Sequence, residues 1–137
     1  MRILFVCKYN RFRSRVAKAY FNKIKRDKKI KAESAGIIKG QYPLSSVQVK
    51  IAKEYGLNIN GRPKSLNVNQ LNSADKIIVV ADDIPKIIFN YSKFKDKLII
   101  WRIGDEWNGN IKNNRRIIGQ IIKNVERLVK ELKKNEN

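Results

Sequence analysis

The chain carries one cysteine, Cys7, and six residues after it Arg13, followed directly by Ser14. The segment Cys7-Lys8-Tyr9-Asn10-Arg11-Phe12-Arg13-Ser14 comes after an aliphatic run, Ile3 to Val6, that reads as a strand buried on both faces. A helical pattern follows it. A short strand-to-helix loop turns several backbone N–H groups, here those of Lys8 to Ser14, toward one point, and the helix N-terminus adds its dipole. The product is a cradle for a tetrahedral oxyanion. A cysteine held there is favoured as thiolate, the nucleophilic form. Arg13 can curl back and grip two phosphoryl oxygens, and Ser14 can donate its hydroxyl to the sulfur. The spacing Cys-x5-Arg-Ser is thus suited to attack on phosphate by sulfur. Without such context, a cysteine after a buried strand is a small core hydrophobe.

The rest of the pattern explains how the loop is held. From Ser14, apolar residues recur at Val16, Ala17, Tyr20, Phe21 and Ile24, one face of a helix. A second strand is expected over Ile30 to Ser34 and a loop from Gly36 to Pro43. A helix then carries Leu44, Val47, Ile51, Ala52 and Tyr55, with Gly56 as its stop. Asn58 to Lys64 reads as loop. Two further buried strands, Ile77 to Val80 and Leu98 to Trp101, flank a helix expected from Ile84 to Asn90, opened by Asp82 and Asp83 with Pro85 in its first turn. Ile117, Ile118, Ile121, Ile122, Val125, Leu128, Val129 and Leu132 mark a long last helix, and the tail Lys133 to Asn137 is expected to fray. Strands alternating with helices specify an α/β fold: a four-stranded parallel sheet between helical layers, with the oxyanion loop after the first strand, at the carboxyl ends where such sheets bind ligands.

Composition narrows the chemistry. With 137 residues the chain suits one domain, residues 1–137. Zero histidine excludes His-based triads, His–Cys zinc sites and His general bases; no metal is expected, because Arg13 and the amide cradle supply the positive field, and no cofactor is expected. A lone cysteine excludes an internal disulfide framework. No apolar run approaches the roughly 18 residues of a membrane span, and Met1 to Cys7 reads as strand rather than signal peptide, which points to the cytoplasm and no membrane partner. Net charge is +19, from 31 Lys and Arg against 12 Asp and Glu. No zinc-finger or RNP-type motif accompanies it, and Lys outnumbers Arg, so the charge reads as solvated helix faces with non-specific attraction to polyanions.

The loop resembles the signature of the low-molecular-weight protein tyrosine phosphatases, V-C-x-G-N-x-C-R-S. Val6, Cys7, Asn10, Arg13 and Ser14 match it. Ser34-Ala35-Gly36 resembles the family's Ser-Ala-Gly after the second strand, Ala74-Asp75 its Ala-Asp before the third, and Trp101-Arg102-Ile103-Gly104-Asp105 the segment bearing its general acid. The resemblance covers nearly the whole chain. It departs at Tyr9 for Gly, Phe12 for Cys, Arg15 for Pro after the Ser, and Glu106 for Pro after the acid. A bulky Tyr9 is expected to narrow the loop or change its backbone, because Gly serves where φ is positive.

The resemblance implies a protein tyrosine phosphatase-type hydrolase working through a cysteinyl-phosphate, with phosphotyrosine peptides, proteins or small aryl phosphates as substrates and inorganic phosphate as product. Cys7 would be the nucleophile, Arg13 and the loop amides the oxyanion holders, and Asp105 the proton donor. The adjacent Glu106 leaves the donor open, and Asp105 also suits a turn or cap beside Gly104. Asn10 and Ser34 would brace the loop; Tyr9, Phe12, Tyr42 and Trp107 would wall the cradle; Lys8 and Arg11 would flank its mouth. Asp82 and Asp83 are given no catalytic part. A different reading keeps the cradle as a non-catalytic phosphate- or polyanion-binding module. Arsenate reduction, also found on this fold, would need an external thiol, because Cys7 has no second cysteine to relay a disulfide.

Overall fold

The computed structural model describes residues 1–38, 43–89 and 92–134. Four parallel strands form one sheet: β1 (Arg2–Cys7), β2 (Lys31–Gly36), β3 (Lys76–Val80) and β4 (Leu98–Trp101), in the order β2-β1-β3-β4. β1 is central because its residues are apolar on both faces, and alternation along the strand divides them. Ile3 and Phe5 join one core with Phe21, Ile78, Ile117 and Ile121. Leu4 and Val6 join the other with Ile77, Val79, Phe89 and Phe94.

The first core is covered by α1 (Arg13–Ile24), α2 (Ser46–Glu54) and the long α5 (Ile111–Lys134). On α5 the buried residues Ile117, Ile118, Ile121, Val125, Leu128 and Leu132 form the expected stripe, each worth roughly 1.5–3 kcal/mol of burial. The Ser45 hydroxyl caps α2 by accepting from Gln48 N at 3.4 Å, and Gly56, at φ 73°, takes the left-handed turn that ends it. The second core lies under α3 (Val68–Ser73), a 3₁₀ turn (Lys86–Phe89) and α4 (Ser92–Lys95). The result is the three-layer α/β sandwich read from the sequence.

Two expectations change. The helix expected over Ile84 to Asn90 is only the 3₁₀ turn, because among the residues of that stretch whose burial is described Phe89 alone is fully buried and gives no stripe to extend; Asn90 lies outside the described residues. α3 had no counterpart in the periodicity, since none of its residues is buried; its signal is the reciprocal cap between Asn67 and Gln70. Among the described residues no helix is long and apolar enough to cross a membrane.

Candidate active site

β1 ends at Cys7 and α1 begins at Arg13, so five residues make the turn at the carboxyl edge of the sheet. Cys7 Sγ lies 3.0 Å from Ser14 Oγ, and that oxygen accepts from Asn10 Nδ2 at 2.8 Å. Asn10 sits at φ 55°, the sole non-glycine residue with positive φ among those described, and its Oδ1 accepts from the Lys64 amide at 2.8 Å. The strained turn therefore falls on Asn10, whose short polar side chain bonds on both sides of it. Tyr9 itself keeps negative φ. A Cβ on Gly36 would stand 2.6 Å from Tyr9 C and 2.7 Å from Asn10 N: glycine is needed where β2 passes under the loop. Among the described residues, the amides of Asn10, Arg11 and Phe12 donate to no carbonyl or side chain and are available to an anion.

Arg13 is 1% exposed. Its Nη1 donates to Ile103 O at 2.8 Å, and its Nη2 lies 3.1 Å from Asp83 Oδ1 and 3.5 Å from Asp105 Oδ2; Asp82 Oδ1 stands 3.9 Å from Nη1. Three carboxylates thus orient one guanidinium while Nε has no acceptor among the described residues. Asp82 and Asp83 were read from the sequence as a helix opening. They instead face the site, because no full helix forms behind them and the chain leaves β3 toward Arg13.

Asp105 is close to Arg13, and its Oδ1 accepts from the Glu106 amide at 2.8 Å. Glu106 is differently placed. Its carboxylate accepts from Asn113 Nδ2 at 2.6 Å, Asn108 N at 2.7 Å and Asn110 N at 3.4 Å, and these bonds, that from Asn113 foremost, hold its pKa below the ordinary value. Such a carboxylate anchors the turn into α5 and is a poor source of protons. Gln48 ties that turn to α2, donating to Glu106 O at 3.4 Å and to Asn114 Oδ1 at 3.2 Å.

At the rim, Tyr9 meets Trp107 edge-on at 5.3 Å, Arg11 lies 5.2 Å over the Trp107 ring, and Lys8 lies 5.5 Å from Tyr9. Arg11 is fixed by donating Nε to Pro43 O at 2.9 Å. A cavity of about 320 Å3 beside this rim is lined by Arg11, Gln48, Glu106, Trp107 and Asn114. Phe12 corrects the sequence reading: it is 2% exposed, packs in the first core and cannot wall the cradle, so only its amide faces the site. Ser34 lines a separate cavity with Asn10 and Arg15. Tyr42 lies outside the described residues.

Arg15 was noted in the sequence only as a replacement for proline. It is buried and donates Nε to Asn10 O at 2.6 Å and Nη1 to Ile59 O at 2.7 Å, pinning the loop from behind. Burial pulls its pKa below the ordinary arginine value, against the opposing pull of the Cys7 charge. Nothing in the local pattern marks this role, because the acceptors are main-chain carbonyls.

The family model described as low molecular weight phosphotyrosine protein phosphatase matches residues 2–137. Among solved structures, a low molecular weight protein tyrosine phosphatase from T. tengcongensis is 27% identical, with a TM-score of 0.83 over 96% of this chain and 99% of that one. An arsenate reductase from Archaeoglobus fulgidus is 27% identical, with a TM-score of 0.73 over 93% of this chain and 98% of that one. The YwlE arginine phosphatase from Geobacillus stearothermophilus shares the fold, at 23% identity and a TM-score of 0.85 over 98% of this chain and 94% of that one. No curated protein matches.

Proposed function

This chain belongs to the low molecular weight phosphotyrosine protein phosphatase family, a family of cysteine-based phosphatases, and from that premise we propose that it hydrolyses aryl phosphate monoesters, phosphotyrosine above all, through a cysteinyl-phosphate. The carrying observation is the contact of Cys7 Sγ with Ser14 Oγ at 3.0 Å inside a loop whose next helix begins with buried Arg13, itself 3.5 Å from Asp105.

In the first step the Cys7 thiolate attacks phosphorus in line, forming the S–P bond as the P–O bond to the leaving group breaks, and Asp105 gives its proton to the departing phenolic oxygen. The loop amides and Arg13 Nε hold the equatorial oxygens, where charge is greatest in the transition state. Ser14 donates to sulfur and stabilises its negative charge. In the second step Asp105, now a carboxylate, takes a proton from water, whose oxygen forms a bond to phosphorus while the S–P bond breaks. Phosphate departs and Cys7 is again a thiolate. Asp105 is favoured over Glu106 as donor because three hydrogen bonds hold Glu106 ionised.

The Tyr9–Trp107 wall suits a flat aryl group, and Lys8 and Arg11 suit acidic residues beside it. The same two cations disfavour phosphoarginine, the kind of substrate named for the arginine phosphatase relative, because its leaving group is itself cationic. The test is hydrolysis of para-nitrophenyl phosphate from about pH 4.5 to about 8 by the intact protein, Cys7→Ser and Asp105→Asn, with phosphotyrosine and phosphoarginine peptides compared. Turnover lost in Cys7→Ser and favouring phosphotyrosine supports the reading. Phosphate or vanadate binding without turnover would instead identify a non-catalytic oxyanion-binding module.

A further inference from the structure

A second cavity, of about 350 Å3, shares no lining residue with the one beside Trp107. Of the loop Cys7 to Ser14, only Asn10 reaches it, and neither Cys7 nor an acid suited to proton transfer lines it. Its wall holds four cations, Arg15, Lys18, Arg62 and Lys64, and no carboxylate. Among the described residues none of the four is in an ion pair, and Glu33, the carboxylate that acts on Lys18, already lies 3.9 Å from Arg2. Burial, then the charges of Lys64 and Arg15, push the Lys18 ammonium below its ordinary pKa. Four like charges gathered around one concavity repel each other unless an anion joins them, and the volume fits a small molecule. Gly61, at φ 120°, brings its loop to within 3.6 Å of Arg15 Nη1 at the place a Cβ would occupy.

We propose that this cavity is a second oxyanion site, for a small compound of the phosphate or diphosphate class that binds without being turned over, and that its occupancy is felt by Cys7 through Asn10. The physical link is short. Arg15 Nε and the Lys64 amide both donate to Asn10, Asn10 donates to Ser14, and Ser14 touches Cys7 Sγ. An anion that fixes Arg15 and Lys64 fixes Asn10 in its left-handed conformation, so ligand and loop are coupled in both directions.

The test titrates isotopically labelled protein with inorganic diphosphate and follows backbone amide resonances, comparing the wild-type protein with Lys18→Ala/Arg62→Ala, two positions outside the catalytic machinery. Ile59, Gly61 and Lys64 should shift in the wild-type protein with a midpoint at least about tenfold lower than in the double variant. Equal midpoints for Gly61 in the two proteins, or no shift there up to about 10 mM, overturn the site. ADP titrated alongside distinguishes recognition of phosphoryl oxygens alone, seen as equal affinities, from recognition of an attached organic group, seen as tighter ADP; either supports the site. For the coupling, diphosphate should change kcat at saturating para-nitrophenyl phosphate in the wild-type protein and not in the double variant. Purely competitive inhibition in both overturns the coupling and leaves the phosphatase reading untouched.

Discussion

Nη2 of Arg13 lies 3.1 Å from Asp83 Oδ1 and 3.3 Å from Oδ2, across 70 residues of sequence. The guanidinium is 1% exposed and the carboxylate side chain 30% exposed, so the pair joins a buried cation to an acid at the edge of solvent. Such an acid holds the cation where a phosphate oxygen can meet Nε, and it also neutralises a charge that burial alone would penalise.

Replacing Asp83 by Ala is therefore expected to lower stability by about 1–3 kcal/mol, the usual effect of removing one partner of a largely buried charge-assisted bond, moderated here by Asp105 and the Ile103 carbonyl. Urea unfolding gives the stability. KM for an aryl phosphate should rise at the same time, because Arg13 loses the contact that fixes its direction. An unchanged KM with lowered stability would make Asp83 a purely structural partner.

The two neighbouring carboxylates should separate in one experiment. Asp105→Asn is expected to reduce kcat on a phosphotyrosine peptide by about 10²–10⁴-fold, the range for loss of a general acid, whereas Glu106→Gln should stay within a few-fold. A larger loss in Glu106→Gln would reverse the assignment of the donor.

Glu106 carries its own pH signature. Its folded pKa is depressed below the ordinary 4.5 by its hydrogen bonds to Asn113, Asn108 and Asn110, so it favours the folded state above the unfolded value and this contribution disappears as pH falls through the folded one. Thermal midpoints measured from neutral to acid pH should fall less steeply below about pH 4.5 in Glu106→Gln than in the wild-type protein. Parallel curves would show that these bonds do not distinguish the ionised form.

The sheet, the position of the loop and the residues Cys7, Asn10, Arg13 and Ser14 could be read from the chain because they are local: aliphatic runs announce buried strands, and the loop residues lie within one turn of sequence. What could not be read depends on direction in space. Phe12 resembles a cradle wall in a linear pattern, yet its side chain turns into the core as the first turn of α1 begins. Asp83 and Arg15 act through partners 70 and 44 residues away, one a side chain and one a carbonyl, and periodicity records neither. α3 escaped because it buries no residue, so only its cap distinguishes it from loop.

Gly36 offers a steric test of the loop that does not remove any polar group. In Gly36→Ala the added Cβ would fall 2.6 Å from Tyr9 C and 2.7 Å from Asn10 N, both main-chain atoms that cannot swing aside as a side chain would. Overpacking of this kind costs about 1–3 kcal/mol, and the loop is the part free to move. The variant should fold with the same far-UV spectrum while kcat/KM falls at least about tenfold, since displaced amides no longer meet the phosphoryl oxygens. Retained activity would mean that β2 yields instead of the loop.

Asn10 combines two demands that substitution can pull apart. Its φ of 55° favours glycine, while its side chain joins Ser14 to the Lys64 amide. Asn10→Gly keeps the backbone allowed and removes both bonds; Asn10→Ala removes the bonds and adds the left-handed penalty of roughly 1–2 kcal/mol. Both variants should lower kcat/KM, because Ser14 loses the donor that orients its hydroxyl toward Cys7. Asn10→Ala should be the less stable of the two by about that penalty in urea unfolding, though the greater freedom of an unfolded glycine chain reduces the gap. If Asn10→Gly kept full activity, the conformation of the turn alone would suffice and the bond to Ser14 would be dispensable. If the two variants were equally stable, the loop would relax out of the left-handed region once the side chain is gone, and the Asn10 bonds themselves would be what holds the turn around Cys7.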